Sequence, residues 1–172
     1  MEQPVQQAVP AQSAQYRGVG GWLLLFILTV LLFTPAVHIY VFYKEWSLYH
    51  SQPSPLLFNF LLIDSSMRAV LVCFGIYAGI QLARIKPQAP AVAKKYLVGI
   101  VVQQLVLLLV GFWLVQKVKA GPGSLEDLLK EPLRALLYVV IWYSYFVKSA
   151  RVAATYRPDE AIQPDKVLPV TL

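Results

Sequence analysis

Residues Tyr96 to Gln116 read YLVGIVVQQLVLLLVGFWLVQ, with no charged side chain among them. An α-helix rises about 1.5 Å per residue, so ~20 apolar residues match the ~30 Å hydrocarbon core of a bilayer. Three further runs are long and predominantly apolar, at residues 20–43, 56–85 and 133–154. The reading is an all-α fold, an integral membrane four-helix bundle spanning residues 20–156.

Composition agrees. Hydrophobic residues make up 58% of the 172 positions and charged residues 14%, whereas roughly a quarter of an ordinary soluble chain is charged. The net charge of +6 is no nucleic-acid footprint, because the basic residues gather at the ends of apolar runs rather than along one face. Cys73 is the single cysteine, which rules out an internal disulfide and a cysteine-built metal site.

Outside the runs, residues 1–19 are polar, rich in Gln, Ala and Pro, and read as a disordered tail. Residues 157–172 read as a flexible C-terminal tail. The second run is ambiguous, since Asp64-Ser65-Ser66-Met67-Arg68 interrupts it. One long tilted helix fits, and so does an interfacial segment feeding a crossing from about Ser66 to Arg84. Gly121-Pro122-Gly123 breaks the chain before a short amphipathic helix at about 125–131, which Ser124 is placed to cap. Pro132 then suits the first turn of the fourth span, where its missing N–H costs nothing.

Basic residues resist translocation, so their distribution orients the chain. The loop between spans two and three holds Arg84, Lys86, Lys94 and Lys95 and no acid. Arg17 precedes the first span, and Lys148, Arg151 and Arg157 follow the fourth. The first loop offers only Lys44 beside Glu45, and the third is mixed. Both termini are therefore expected in the cytoplasm. Trp22, Tyr96 and Tyr156 would mark the inner interface; Tyr43, Trp46 and Trp113 would mark the outer one.

Asp64 and Arg68 stand i,i+4 in the favourable order for a helical ion pair. Counting from Arg84 sets Arg68 about 24 Å up, in the outer third of the membrane. Two readings stay open there. The pair fixes helix depth at the interface, or it belongs to an outer polar cluster with His38 and Arg134. His38, one turn after Thr34-Pro35, reads as a structural hydrogen-bonding group or a proton relay. Gly75, Gly79 and Ala83 form a small-residue face for close helix packing, inside the bundle or against a second chain. Gln103 and Gln104 would bond across helices. No catalytic cluster, metal site or cofactor motif stands out, so the expectation is a non-enzyme without cofactor.

Two segments carry a resemblance. Gly20-Gly21-Trp22-Leu23-Leu24 opens the first span, and Trp142, Tyr145-Phe146, Ser149, Arg151-Val152 and Thr155-Tyr156 close the fourth. This pattern resembles an uncharacterised family of bacterial inner-membrane proteins catalogued as a domain of unknown function, in which Phe stands where this chain has Tyr156. The resemblance implies a four-helix protein of the bacterial inner membrane and no particular activity. Lys148 and Arg151 suit a helix C-terminus facing anionic headgroups, as an anchor or a docking surface. Ser149 and Thr155 are placed to bond back to nearby carbonyls. The expected role is a scaffold or accessory subunit contacting membrane lipids and a membrane-protein partner or further copies of itself, not nucleic acid. The other reading is a small oligomeric transporter or channel component working through the outer polar cluster.

Overall fold

The structure, a computed structural model, describes residues 18–51, 54–118 and 123–156. Most of the expected N-terminal tail, the whole C-terminal tail and the centre of the third loop lie outside the described residues. Helix α1 runs Trp22–Ser51, α2 Pro55–Ala83, α3 Ala89–Val118, α4 Gly123–Lys148 and α5 Ala150–Tyr156. No strand occurs among the described residues. Among the described residues, three segments are long and apolar enough to cross a membrane: Trp22–Ser51, Phe58–Ala83 and Ala89–Lys117. Helix α4 falls short on composition, because tyrosines and Trp142 dilute its aliphatic run and Glu131, Arg134 and Lys148 charge its ends.

Helices α1 and α3 outrun their sequence readings, α2 matches its own to within two residues, and α4 starts earlier than expected and ends at Lys148, short of the expected 154. Helix α1 continues eight residues past the expected end at Tyr43, to Ser51. Its course includes one π-helical stretch, Thr29–Phe33, immediately before Pro35. Proline withdraws one donor from the ladder, and a wider turn beside it redistributes the remaining carbonyls. Thr29 donates its hydroxyl to the Leu25 carbonyl at 2.8 Å in the same region. The second run is one helix, with Ser54 at its N-cap and Pro55 in the first turn. Asp64 and Arg68 bond along it without breaking it. Helix α3 starts at Ala89, so Lys94 and Lys95 lie inside it rather than in a loop. The separate helix at 125–131 does not form: α4 passes through Pro132 unbroken to Lys148. In lipid, neighbouring helices and local adjustment support the carbonyl that a mid-helix proline frees.

The packed core occupies one end of the bundle, where α1 begins, α2 ends, α3 begins and α4 ends. Leu23, Phe26, Val30, Leu82 and Leu97 are fully enclosed there. Phe26 sits against Trp142 and Phe146, each ring centroid 4.9 Å away. Lipid is as apolar as these side chains, so close packing rather than water expulsion holds such a core together. Toward the other end the apolar side chains of α1 and α2 face outward, including Val37, Ile39 and Leu62.

The two ends of the described chain close this core like a latch. Gly18 donates its N–H to the Thr155 hydroxyl at 3.3 Å. The Arg151 guanidinium lies over Gly20, where a Cβ would stand 2.8 Å from Nη1. Gly21 adopts φ 56°, a conformation that side-chain-bearing residues avoid. Tyr156 donates to the Leu82 carbonyl at 2.8 Å, and burial pushes its phenol pKa up. The sequence expectation for Ser149 and Thr155 therefore needs correcting. Both oxygens accept backbone amides, Ser149 Oγ that of Val152 at 3.4 Å, so Ser149 caps α5.

Candidate functional site

Buried charge is expensive in a membrane helix, and here it converges between α1 and α2. Arg68 forks onto Asp64 one turn earlier, Nε to Oδ1 at 3.0 Å and Nη2 to Oδ2 at 2.5 Å. Its remaining terminal nitrogen, Nη1, reaches Glu45 Oε1 on α1 at 3.0 Å. Asp64 is 1% exposed, so its charge depends on that guanidinium. The Glu45 and Asp64 carboxyls also stand within hydrogen-bonding reach of each other. One cation thus faces two acids. Two atoms of this cluster, Glu45 Oε2 and His38 Nδ1, are buried without a partner among the described residues. His38 and Arg68 border a cavity of about 260 Å³. Glu45 also borders a second cavity, of about 300 Å³, with Phe42, Trp46, Tyr49 and Phe58.

Of the outer polar cluster expected from sequence, the structure brings His38, Asp64 and Arg68 together. Arg134 is elsewhere: it pairs with Glu131 at 2.9 Å, and both side chains are more than 70% exposed. On the exposed surface of α4, it has nothing to add to the cluster on α1 and α2. Glu45 takes the place expected of Arg134. It stands seven positions, two helical turns, after His38, a spacing that carries meaning only once α1 runs past Tyr43. Ending the helix at Tyr43 hid it.

Gly75 and Gly79 are buried inside the bundle. A Cβ on Gly75 would meet the Tyr96 ring at 2.9 Å and Val30 at 3.1 Å, and one on Gly79 would meet Leu31 at 2.8 Å. This chain's own α1 and α3 cover that face, while Ala83 stays exposed. Tyr96 on α3 bonds the Thr34 hydroxyl on α1, a polar tie across the bundle. Lys148 is exposed, and Arg151 is engaged at the latch. Among the described residues, no group of three His, Cys, Asp or Glu side chains is placed to hold a metal ion.

A third feature had no sequence signal. A groove of about 760 Å³ runs between α2 and α3 with Tyr143 of α4 beside it. Met67, Val70, Leu71, Val98 and Val102 give it apolar walls, and Lys94 and Lys95 stand toward its terminal end. It depends on which faces of three helices meet, which periodicity in one helix does not report.

Helices of membrane-crossing length and hydropathy, packed around an internal ion cluster, define the class: an all-helical membrane protein. The family model "Protein of unknown function (DUF2569)" matches residues 16–157, and the chain belongs to that family. No curated protein and no solved structure matches the chain.

Proposed function

We propose that this chain is a non-enzymatic accessory or scaffold subunit of a bacterial inner membrane that holds an anionic phospholipid in the groove between α2 and α3. In this reading the chain crosses four times, α4 included, with both termini in the cytoplasm. The groove carries the proposal. From Ala91 to Gln103 it follows α3 for about 18 Å at 1.5 Å per residue, the scale of an acyl chain. Lys94 and Lys95 provide two positive charges where a cytoplasmic-leaflet headgroup would lie, with Arg84 and Lys86 nearby in sequence and no acid from Arg84 to Lys95. Long lysine stems lie along apolar surface while the ammonium stays at the headgroups.

Thermal unfolding in detergent tests it, with phosphatidylglycerol or phosphatidylcholine added. A bound ligand raises stability with its concentration. Phosphatidylglycerol should raise the unfolding temperature saturably, and the Lys94→Gln/Lys95→Gln double variant should lose that rise. Equal stabilisation by phosphatidylcholine, or an unaltered response in the variant, overturns the reading.

The buried ion cluster favours the other reading, a transporter or channel component. Flux in proteoliposomes separates the two. Under the accessory reading the purified chain gives none; flux that disappears in Asp64→Asn would put the transporter reading first.

A further inference from the structure

Phe42, Trp46 and Tyr49 recur at four- and three-residue steps along one side of α1, and Phe58 faces them from α2. Their rings are in register: Phe42 stacks on Trp46 at 6.2 Å, Trp46 meets Tyr49 at 5.9 Å, and Tyr49 meets Phe58 at 5.3 Å. Together they border the cavity of about 300 Å³ into which Glu45 is set, with Leu61, Leu62 and Ser65 completing the wall.

One guanidinium serves two acids at this spot. Arg68 already gives two contacts to Asp64 and one to Glu45 Oε1. Glu45 Oε2 is buried and, among the described residues, meets no donor. With one guanidinium for two carboxyls in hydrogen-bonding reach, the acids share a proton. A cation beside Glu45 would release that proton to solvent and take over as counter-charge, and Arg68 borders the neighbouring cavity rather than this one. The aromatic cavity therefore meets the acid without meeting the base. Aromatic faces attract cations, most strongly where water is excluded. An alkylated ammonium needs no hydrogen bonds, only a counter-charge and π faces, and both are present. An anion would meet repulsion here, and a neutral polar ligand would find few donors. We infer that the aromatic cavity beside Glu45 binds a lipophilic organic ammonium ion. This site lies between α1 and α2, apart from the lysine-flanked groove, so it stands or falls independently of the lipid reading.

The test uses the purified full chain in detergent, titrated with benzyltrimethylammonium and followed by calorimetry. One saturable site is expected. Glu45→Gln and Trp46→Leu should each raise Kd by about tenfold or more, whereas Trp46→Phe, which keeps a π face, should stay within about threefold. Arg134→Gln should bind as the unaltered chain does. Neopentylbenzene, the uncharged carbon analogue, should not displace the bound cation. Should Glu45→Gln fail to fold because it strips a partner from Arg68, the Trp46→Leu and Trp46→Phe pair decides, since neither touches the ion cluster. Absence of saturable binding overturns the inference. So does displacement by neopentylbenzene, which would make the cavity a greasy slot beside interfacial aromatics. Equal affinities in Trp46→Leu and Trp46→Phe would overturn it as well.

Discussion

A single methyl group distinguishes the two glycines of the α2 face. At Gly75 it would press into Tyr96, which is 3% exposed and tied to Thr34, and into Val30, which is 1% exposed. Neither neighbour has room to move, so Gly75→Ala should cost about 1–3 kcal/mol by overpacking. At Gly79 the obstacle is the branched end of Leu31, a partly exposed side chain that can swing toward lipid. Gly79→Ala should cost less than Gly75→Ala, measured by unfolding of both variants in one detergent. Tyr156 offers a second test at this scale. Tyr156→Phe removes its bond to the Leu82 carbonyl and should cost about 0.5–1.5 kcal/mol. Its folded pKa is raised by burial, so the folded state keeps this proton longer than the unfolded one. The resulting stability is complete below about pH 10, the ordinary tyrosine value, and is lost as pH rises through the folded value. The stability gap between the unaltered chain and Tyr156→Phe should therefore narrow in strongly alkaline buffer.

Pairs of helices are held by polar contacts as much as by packing, and α1 and α2 show it best. Arg68→Leu would leave Asp64 and Glu45 facing each other without their cation. Breaking a buried pair from one side costs about 3–5 kcal/mol, whereas replacing it entirely by apolar residues is often neutral. Arg68→Leu alone should therefore unfold far more readily than the triple variant Asp64→Leu/Arg68→Leu/Glu45→Gln. Similar stabilities for the two would mean that the ion cluster does not join these helices. The Asp64–Arg68 half of this cluster was readable from i,i+4 spacing, because both residues share one helix. Glu45 was not, because its role depends on α1 extending beyond the apolar run and on which face then meets α2. Helix ends show the same asymmetry: apolar runs reveal that a helix exists, but Ser51, Ala89 and Gly123 end or begin helices in polar sequence. Pro132 was read as a start and proved an interior residue, since packing against neighbours outweighed the loss of one donor.

For the molecule as a whole, the four-crossing arrangement makes a geometric claim. In a Cys73→Ala background, cysteines introduced as Gln88→Cys and Glu126→Cys should label from opposite sides of the membrane, the first from the cytoplasm. Labelling of both from one side would mean that α4 does not cross. The positions of the ion cluster and the groove are consistent with a bundle tightly packed near its termini and more open toward the α1–α2 connection. The sequence carried the class of this fold plainly, in uninterrupted apolar runs that no soluble domain needs. It carried the sites only in part, because a cavity belongs to the facing sides of several helices at once.

Gly18 takes its partner from Thr155, 137 residues further along the chain, and Arg151 lies over Gly20. At ~5–20 residues per second, the opening of the first segment waits on the order of ten seconds for them. During synthesis that first segment must persist with its entry unfastened, and a chain halted before Arg151 would never fasten it. Quality control that senses this latch would thereby sense whether translation had passed Thr155.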